Sequence, residues 1–325
     1  MDQDLRFLQV EPTTRCNYTC GFCAGRHMPQ IDLPLPQFKA LIDSTTNLQH
    51  IELQGEGEPL LHPDFFEMIH YAREKCPAVK ISFITNGSLF TNDIITNILA
   101  EKIHSILVSI ESTDEIEFQR IRGGKLSRVK RGIAELIAKK RQHNSPMKVG
   151  FAVTVLKETA TQINAIGELY ENLRMDGGII IQPLQSMECY TKFYDAQLMQ
   201  SIPSPDDKLL VNNLIASDQR TQHALGESRA ATSFYMDLFK NTSSEDNRCP
   251  WLTNGLFVSA DGIASSCAFI KDSKKYGFAR LTEKLDDIFK KRAQLSNELS
   301  AGKEPPQCRS CSIAKNISKR LLYRP

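Results

Sequence analysis

The stretch Leu5-Arg6-Phe7-Leu8-Gln9-Val10-Glu11-Pro12-Thr13-Thr14-Arg15-Cys16-Asn17-Tyr18-Thr19-Cys20-Gly21-Phe22-Cys23 joins a short apolar run to three cysteines within eight residues. Leu5–Glu11 has the length and composition of a buried strand. The cysteines therefore lie on the loop after the first strand. Three thiolates so close together can wrap one side of a compact iron–sulfide cube and leave one iron open to an outside ligand. Tetrahedral zinc would need a fourth donor, and His27 is the nearby candidate. On residue types alone both readings stand.

Beyond this loop, short apolar runs alternate with amphipathic stretches to about residue 184, as β/α units around a parallel sheet would. Further strands are expected at His50–Gln54, Lys80–Thr85, Ser105–Ile110, Lys148–Leu156 and Gly178–Gln182. Helices are expected at Gln37–Thr46, Asp64–Lys75, Thr91–Glu101, Leu126–Arg141 and Thr159–Leu173. Pro63-Asp64 and Thr91-Asn92-Asp93 supply capping residues at two helix starts. Six strands joined by helical crossovers curl into a partial (β/α)6 TIM-like barrel, an α/β fold with its reactive residues at the C-terminal ends of the strands. The domains expected are a barrel over 1–200, a helical linker over 201–245 and a small α+β unit over 246–325. That last unit holds a hairpin, Leu256–Ser259 with Ile263–Ser266, and a helix near Glu283–Leu299.

The 325 residues carry a formal net charge of +2, too small to imply a nucleic-acid partner. The basic runs at Lys139–Arg141 and Lys290–Arg292 read as solvated helix faces. No apolar run approaches a membrane span, and the acidic N-terminus lacks a signal-peptide pattern, so cytoplasm is the expected location. Nine cysteines stand out, because a cytosolic chain does not rely on disulfides and clustered thiols then suggest metal or redox chemistry. Cys249, Cys267, Cys308 and Cys311 form a second group, and four thiolates can close a site for zinc or for an iron–sulfur cluster. Cys76 reads as a packed thiol, Trp251 as a cover for the second site, and His62 as a loop or capping residue. Cys189, with Glu188, Tyr190 and Asp195 beside it, follows the last expected strand. Cys189 is a candidate hydrogen donor or substrate contact, with an inert buried thiol as the alternative; the other three are acid–base candidates.

The CxxxCxxC spacing, with Phe22 before the last cysteine, resembles the radical S-adenosylmethionine (radical SAM) superfamily. Gln54-Gly55-Glu56-Gly57-Glu58-Pro59 resembles that family's GGEP segment, with Glu56 where its first glycine is usual; Gly57, Glu58 and Pro59 are carried over. Thr85-Asn86-Gly87, Ser109-Ile110-Glu111-Ser112 and Arg122-Gly123-Gly124 resemble its later cofactor-facing segments. The resemblance implies a [4Fe–4S] cluster on Cys16, Cys20 and Cys23 that holds S-adenosylmethionine. It implies Glu58 at the methionine ammonium, Ser109 and Glu111 at the ribose, and Arg122 at the carboxylate, with Asn86 in the site. Reductive cleavage would yield a 5′-deoxyadenosyl radical that abstracts hydrogen. The C-terminal cysteines resemble the SPASM domain in its shortened twitch form, implying one auxiliary [4Fe–4S] cluster; Ile317 stands where the full form has a further cysteine.

Relatives with such a domain imply a ribosomally made peptide or protein as substrate, matured by cross-linking, epimerisation or backbone excision. With the motif only sixteen residues in, a separate leader-peptide-binding protein would be a partner. A flavodoxin- or ferredoxin-type protein would donate electrons. The alternatives are a radical SAM dehydrogenase of a small-molecule alcohol and, outside enzymes, an electron carrier or zinc-stabilised adaptor.

Overall fold

Six strands follow one another in parallel: β1 (Phe7–Val10), β2 (His50–Leu53), β3 (Lys80–Thr85), β4 (Ser105–Ser109), β5 (Lys148–Val155) and β6 (Ile179–Pro183). The computed structural model describes residues 5–45, 47–231, 249–311 and 314. Each strand hydrogen-bonds to its sequence neighbour, from Phe7↔His50 at one side to Ala152↔Ile180 at the other. Right-handed crossovers between ordered parallel strands put every helix on one face, so the sheet curls with the helices outside.

The outer layer contains α1 (Leu35–Asp43), α2 (Phe65–Lys75), α3 (Asn92–Ala100), α4 (Glu115–Arg122), α5 (Leu126–Gln142) and α6 (Ile163–Asn172). Their apolar faces, among them Phe38, Phe65, Ile98, Ile133 and Ile166, are fully buried against the sheet. Thr91 caps α3 as expected, its side chain accepting from the Ile94 amide. Asp64 makes no such side-chain bond; the preceding His62 caps instead, accepting from the Asp64 amide at 3.0 Å while its other ring nitrogen meets the Leu33 carbonyl. The helix expected over Thr159–Leu173 begins as a 3-10 turn, Lys157–Gln162, before α6.

Helix α4 was not among the expected helices. Its marks are brief but legible: Asp114 accepts from the Glu117 amide, and Gly123 ends the helix at φ +72°, a left-handed conformation that glycine adopts without strain.

The chain continues through α7 (Glu188–Thr191), α8 (Ala196–Gln200), α9 (Pro205–Ser217) and α10 (Gln219–Ala231). Residues 201–231, expected as a linker, are helical but join the barrel wall. A Cβ on Gly167 of α6 would lie 2.2 Å from Thr221 of α10, so the two backbones approach closely. The rest of the expected linker, and Ile317, lie outside the described residues.

The C-terminal hairpin forms as β7 (Gly255–Val258) and β8 (Ile263–Ser265), turning at Gly262, with a short β9 (Ala279–Arg280) beside β8. It is not a sheet apart. β7 pairs in parallel with β1, Phe7↔Gly255 through Val10↔Val258, giving one nine-stranded sheet in the order β6-β5-β4-β3-β2-β1-β7-β8-β9. A barrel left open beside β1 would present unpaired backbone groups there, and β7 satisfies them. The helix expected near Glu283–Leu299 is Leu285–Ser300. No helix among the described residues is long and apolar enough to cross a membrane.

Candidate functional site

The cysteine loop leaves β1 through a clamped stem. Thr14 exchanges hydrogen bonds with Pro29 and Ile31, and Arg15 reaches Asp32 and the Leu61 carbonyl. The loop is then gripped on both sides. From β2, the Glu58 amide donates to the Arg15 carbonyl at 2.8 Å, and a Cβ on Gly57 would lie 2.2 Å from the Thr13 oxygen. From α4, the Arg122 carbonyl accepts from the Thr19 amide, while Cβ atoms on Gly123 and Gly124 would strike Thr19 and the Tyr18 ring. The glycines after Arg122 are there because the loop packs onto bare backbone. From β3, Asn86 donates to Asn17 at 2.9 Å, and Asn17 donates to Ser88 at 2.8 Å.

This framework turns Cys16, Cys20 and Cys23 toward one cavity of about 220 Å³, bordered also by Gly57, Glu58, Asn86, Ser109, Arg122 and Tyr190. Burial raises all three thiols, Cys20 to about 11 and Cys23 well above its ordinary value, where Glu56 adds to the effect. Such thiols keep their protons until a bound cation displaces them. His27, the fourth donor of the zinc alternative, stacks on Phe193 and does not border the cavity. Among the described residues no three His, Cys, Asp or Glu side chains form a ready-made cage for a single metal ion. Three thiols facing open volume, without His27 beside them, fit a cluster that leaves one iron to an outside ligand.

Glu58 is buried at the cavity wall and accepts from Thr85 and from the Asn86 amide, both at 2.7 Å. Burial outweighs these bonds and raises its carboxyl to about 7. Pro59 starts a 3-10 turn and shapes the backbone without bordering the cavity.

Glu111 is placed otherwise than expected. Both its oxygens are taken by the Arg122 guanidinium, Nη2 to Oε1 at 2.5 Å and Nε to Oε2, and it does not border the cavity. Burial drives Glu111 toward its neutral form, Arg122 opposes that, and the partnership raises Arg122. Arg122 still borders the cavity, with Nη1 3.8 Å from Cys20 Sγ.

A second cavity of about 630 Å³ fills the barrel lumen and shares Ser109, Thr154, Glu56 and Tyr190 with the first. Of the residues expected after the last strand, only Tyr190 faces it. One helical turn cannot aim successive side chains the same way. Glu188 is exposed, and Cys189 is buried with its sulfur 3.6 Å from the Phe269 carbonyl, outside both cavities. Asp195 caps α8, accepting from the Leu198 amide. Cys76 ends α2 away from both cavities.

Two residues were missed. Glu56 sends its carboxylate to Lys271 at 2.7 Å and accepts from Tyr190, and Lys271 lines the lumen. The other cysteines gather at the far side of β1. Cys249, Cys308 and Cys311 flank an apolar cluster of Leu252, Leu295 and Leu299, and Cys249 and Cys267 flank Trp251, Phe7 and Phe257. Burial raises Cys249 to about 11 and Cys308 to about 12, and Cys267 further, with the other three thiols adding to the shift at Cys267.

Residues 10–169 match the Radical SAM superfamily. An S-adenosylmethionine-dependent nucleotide dehydratase of Selenomonas ruminantium is 36% identical over 103 residues, 31% of this chain and 37% of that protein. The chain spans about half the length of the next two curated relatives. Among solved structures, native anSMEcpe with bound AdoMet superposes with TM-score 0.70 at 16% identity, over 96% of this chain and 88% of that one. SuiB of Streptococcus suis bound to precursor peptide SuiA gives TM-score 0.67 at 15% identity, over 88% and 65%. At such identities the likeness is one of fold. The match runs from the end of β1 into α6, on a barrel that collects three cysteines where the strands end, so residues 10–169 form a radical SAM superfamily domain.

Proposed function

We propose that this chain holds a [4Fe–4S] cluster on Cys16, Cys20 and Cys23, binds S-adenosylmethionine against it, and modifies a peptide or protein held in the barrel lumen. One observation carries the reading: the three thiols, Glu58, Asn86, Ser109 and Arg122 border a single cavity that opens into the lumen. When bound, the cluster and S-adenosylmethionine supply reductive cleavage to methionine and a 5′-deoxyadenosyl radical that takes a hydrogen atom from substrate.

The chain's own residues bind and orient. The Glu58 carboxylate accepts from the methionine ammonium, and the Ser109 hydroxyl, without Glu111, meets the ribose. Arg122, fixed by Glu111, places positive charge beside Cys20 and the incoming carboxylate. Gly57 and Pro59 hold the backbone that presents Glu58. Tyr190, at the junction of the two cavities, faces the substrate. Cys249, Cys267, Cys308 and Cys311 hold an auxiliary [4Fe–4S] cluster in a twitch-like C-terminal segment, closed to substrate by its four protein ligands.

The peptide assignment draws support from the peptide bound to SuiB, and from a lumen of about 630 Å³ with room for a side chain and its flanking backbone. A flavodoxin- or ferredoxin-type donor and a leader-binding protein complete the proposed system. A small molecule is the second reading, because that volume also suits small-ligand sites.

The test is anaerobic reconstitution with reductant and S-adenosylmethionine. About eight irons per chain and release of 5′-deoxyadenosine are expected, with mass spectrometry of candidate peptides to find the product. Alanine at Cys16, Cys20 or Cys23 abolishes 5′-deoxyadenosine, while Cys308→Ala lowers iron to about four and leaves uncoupled cleavage. Cleavage persisting in all three N-terminal variants refutes the assignment.

A further inference from the structure

The corner beside Cys23 has an unusual charge balance. Glu56 Oε2 is 3.2 Å from Cys23 Sγ and accepts from the Gly25 amide at 3.2 Å. Its other oxygen contacts Lys271 Nζ at 2.7 Å, and the side chains of this pair keep only 7% and 8% of their surface exposed. Tyr190 donates to the same carboxylate at 3.1 Å. A second buried carboxylate, Glu11, stands behind, accepting from the Glu56 amide at 2.7 Å and the Ala260 amide at 3.0 Å. One carboxylate thus touches a sulfur that would bind iron, a second stands behind it, and Lys271 is the ammonium in contact with the first.

An anion in van der Waals reach of a metal thiolate, away from water, works against that thiolate's charge. A cation bonded to the anion removes most of that opposition. Glycine at position 56 would need no such partner, so the glutamate and the lysine make sense together.

We propose that Lys271 is a positioning residue for the cluster site: its ammonium, held against Glu56 beside Cys23, offsets that carboxylate's charge and keeps the cluster's reduction potential from falling. The idea rests on Cys16, Cys20 and Cys23 being the ligands. It gives the C-terminal segment a part in the N-terminal chemistry, for Lys271 lies four residues beyond Cys267.

The test compares wild type, Lys271→Met, Lys271→Arg, Glu56→Gln and the double variant Glu56→Gln/Lys271→Met after anaerobic reconstitution. Two readouts are taken: iron retained against a chelator, and the midpoint potential of the cluster whose electron paramagnetic resonance signal responds to S-adenosylmethionine. Lys271→Met is expected to retain iron on the order of tenfold less well, with a more negative potential. Lys271→Arg and the double variant return to wild-type values, and Glu56→Gln alone shifts the potential positive. That last variant decides the matter should Lys271→Met not fold. Wild-type behaviour in Lys271→Met overturns the proposal. So does a double variant as impaired as Lys271→Met, which makes the lysine a packing residue, or an unchanged potential in Glu56→Gln. Failure of wild type itself to take up iron at the three cysteines removes the underlying reading and the proposal together.

Discussion

Replacing Arg122 by Met should destabilise the protein far more than replacing its partner Glu111 by Gln. The two side chains are 7% and 1% exposed and meet through two parallel hydrogen bonds. Arg122→Met leaves an uncompensated carboxylate that is only 1% exposed, which costs about 3–5 kcal/mol. Glu111→Gln leaves the guanidinium with a neutral acceptor and with a cavity wall from which it can be hydrated, for about 1–3 kcal/mol.

The pH dependence follows from the same geometry. Burial alone raises the Glu111 carboxyl, and without Arg122 nothing comparable pulls it down. The folded variant then holds a proton that the unfolded chain releases above its ordinary carboxylate value of 4.5. Its penalty should therefore be small near pH 5 and grow toward pH 8. Denaturant unfolding followed by circular dichroism at several pH values, on both single variants and Arg122→Met/Glu111→Leu, measures this. The double variant should recover most of the loss, because a buried ion pair replaced by apolar groups is often neutral. At pH 8, a loss below about 1 kcal/mol for Arg122→Met or a larger loss for Glu111→Gln, or at any pH a penalty that does not change with pH, would refute the reasoning.

Gly57→Ala places a Cβ 2.2 Å from the Thr13 oxygen and 2.7 Å from that of Arg15, so the stem of the cysteine loop must shift. About 1–3 kcal/mol of overpacking is expected, with loss of iron uptake in a protein that still folds; full iron content by colorimetric assay contradicts this. In the reconstituted protein, S-adenosylmethionine affinity by calorimetry should weaken roughly tenfold per pH unit below about 7, because Glu58 is protonated there and an ammonium needs the carboxylate. Glu58→Gln should bind weakly with a flat profile, and a pH-independent wild type would count against Glu58 as the acceptor.

The barrel was legible because each strand is a short apolar run, buried along much of β1 to β5, and flanked by turn residues. Lys80–Thr85 falls where the apolar pattern puts it, and the other five strands differ only at their ends. The cysteine tripod was equally plain, since its members are neighbours in sequence. What escaped depends on approach through space. Glu56 and Lys271 lie in loops after different strands, and nothing in the spacing of Gln54–Pro59 announces a lysine from beyond β8. Glu111 has the residue type a ribose would accept, yet a guanidinium eleven residues on claims it first. Cys189 and Tyr190 are adjacent in the chain yet meet different partners, Phe269 and Glu56, which residue type alone does not resolve.

The parallel seam between β1 and β7 also bears on how the molecule is made. The strand that launches the cysteine loop is interior to the sheet, and one of its two neighbours belongs to the last quarter of the chain. The bond from the Ala260 amide to Glu11 spans 249 residues. During synthesis, β1 waits with one edge unsatisfied until β7 has been made, and closure of so long a span is intrinsically slow. Any metal seat beside β1 is therefore complete only once β7 has been made and has docked.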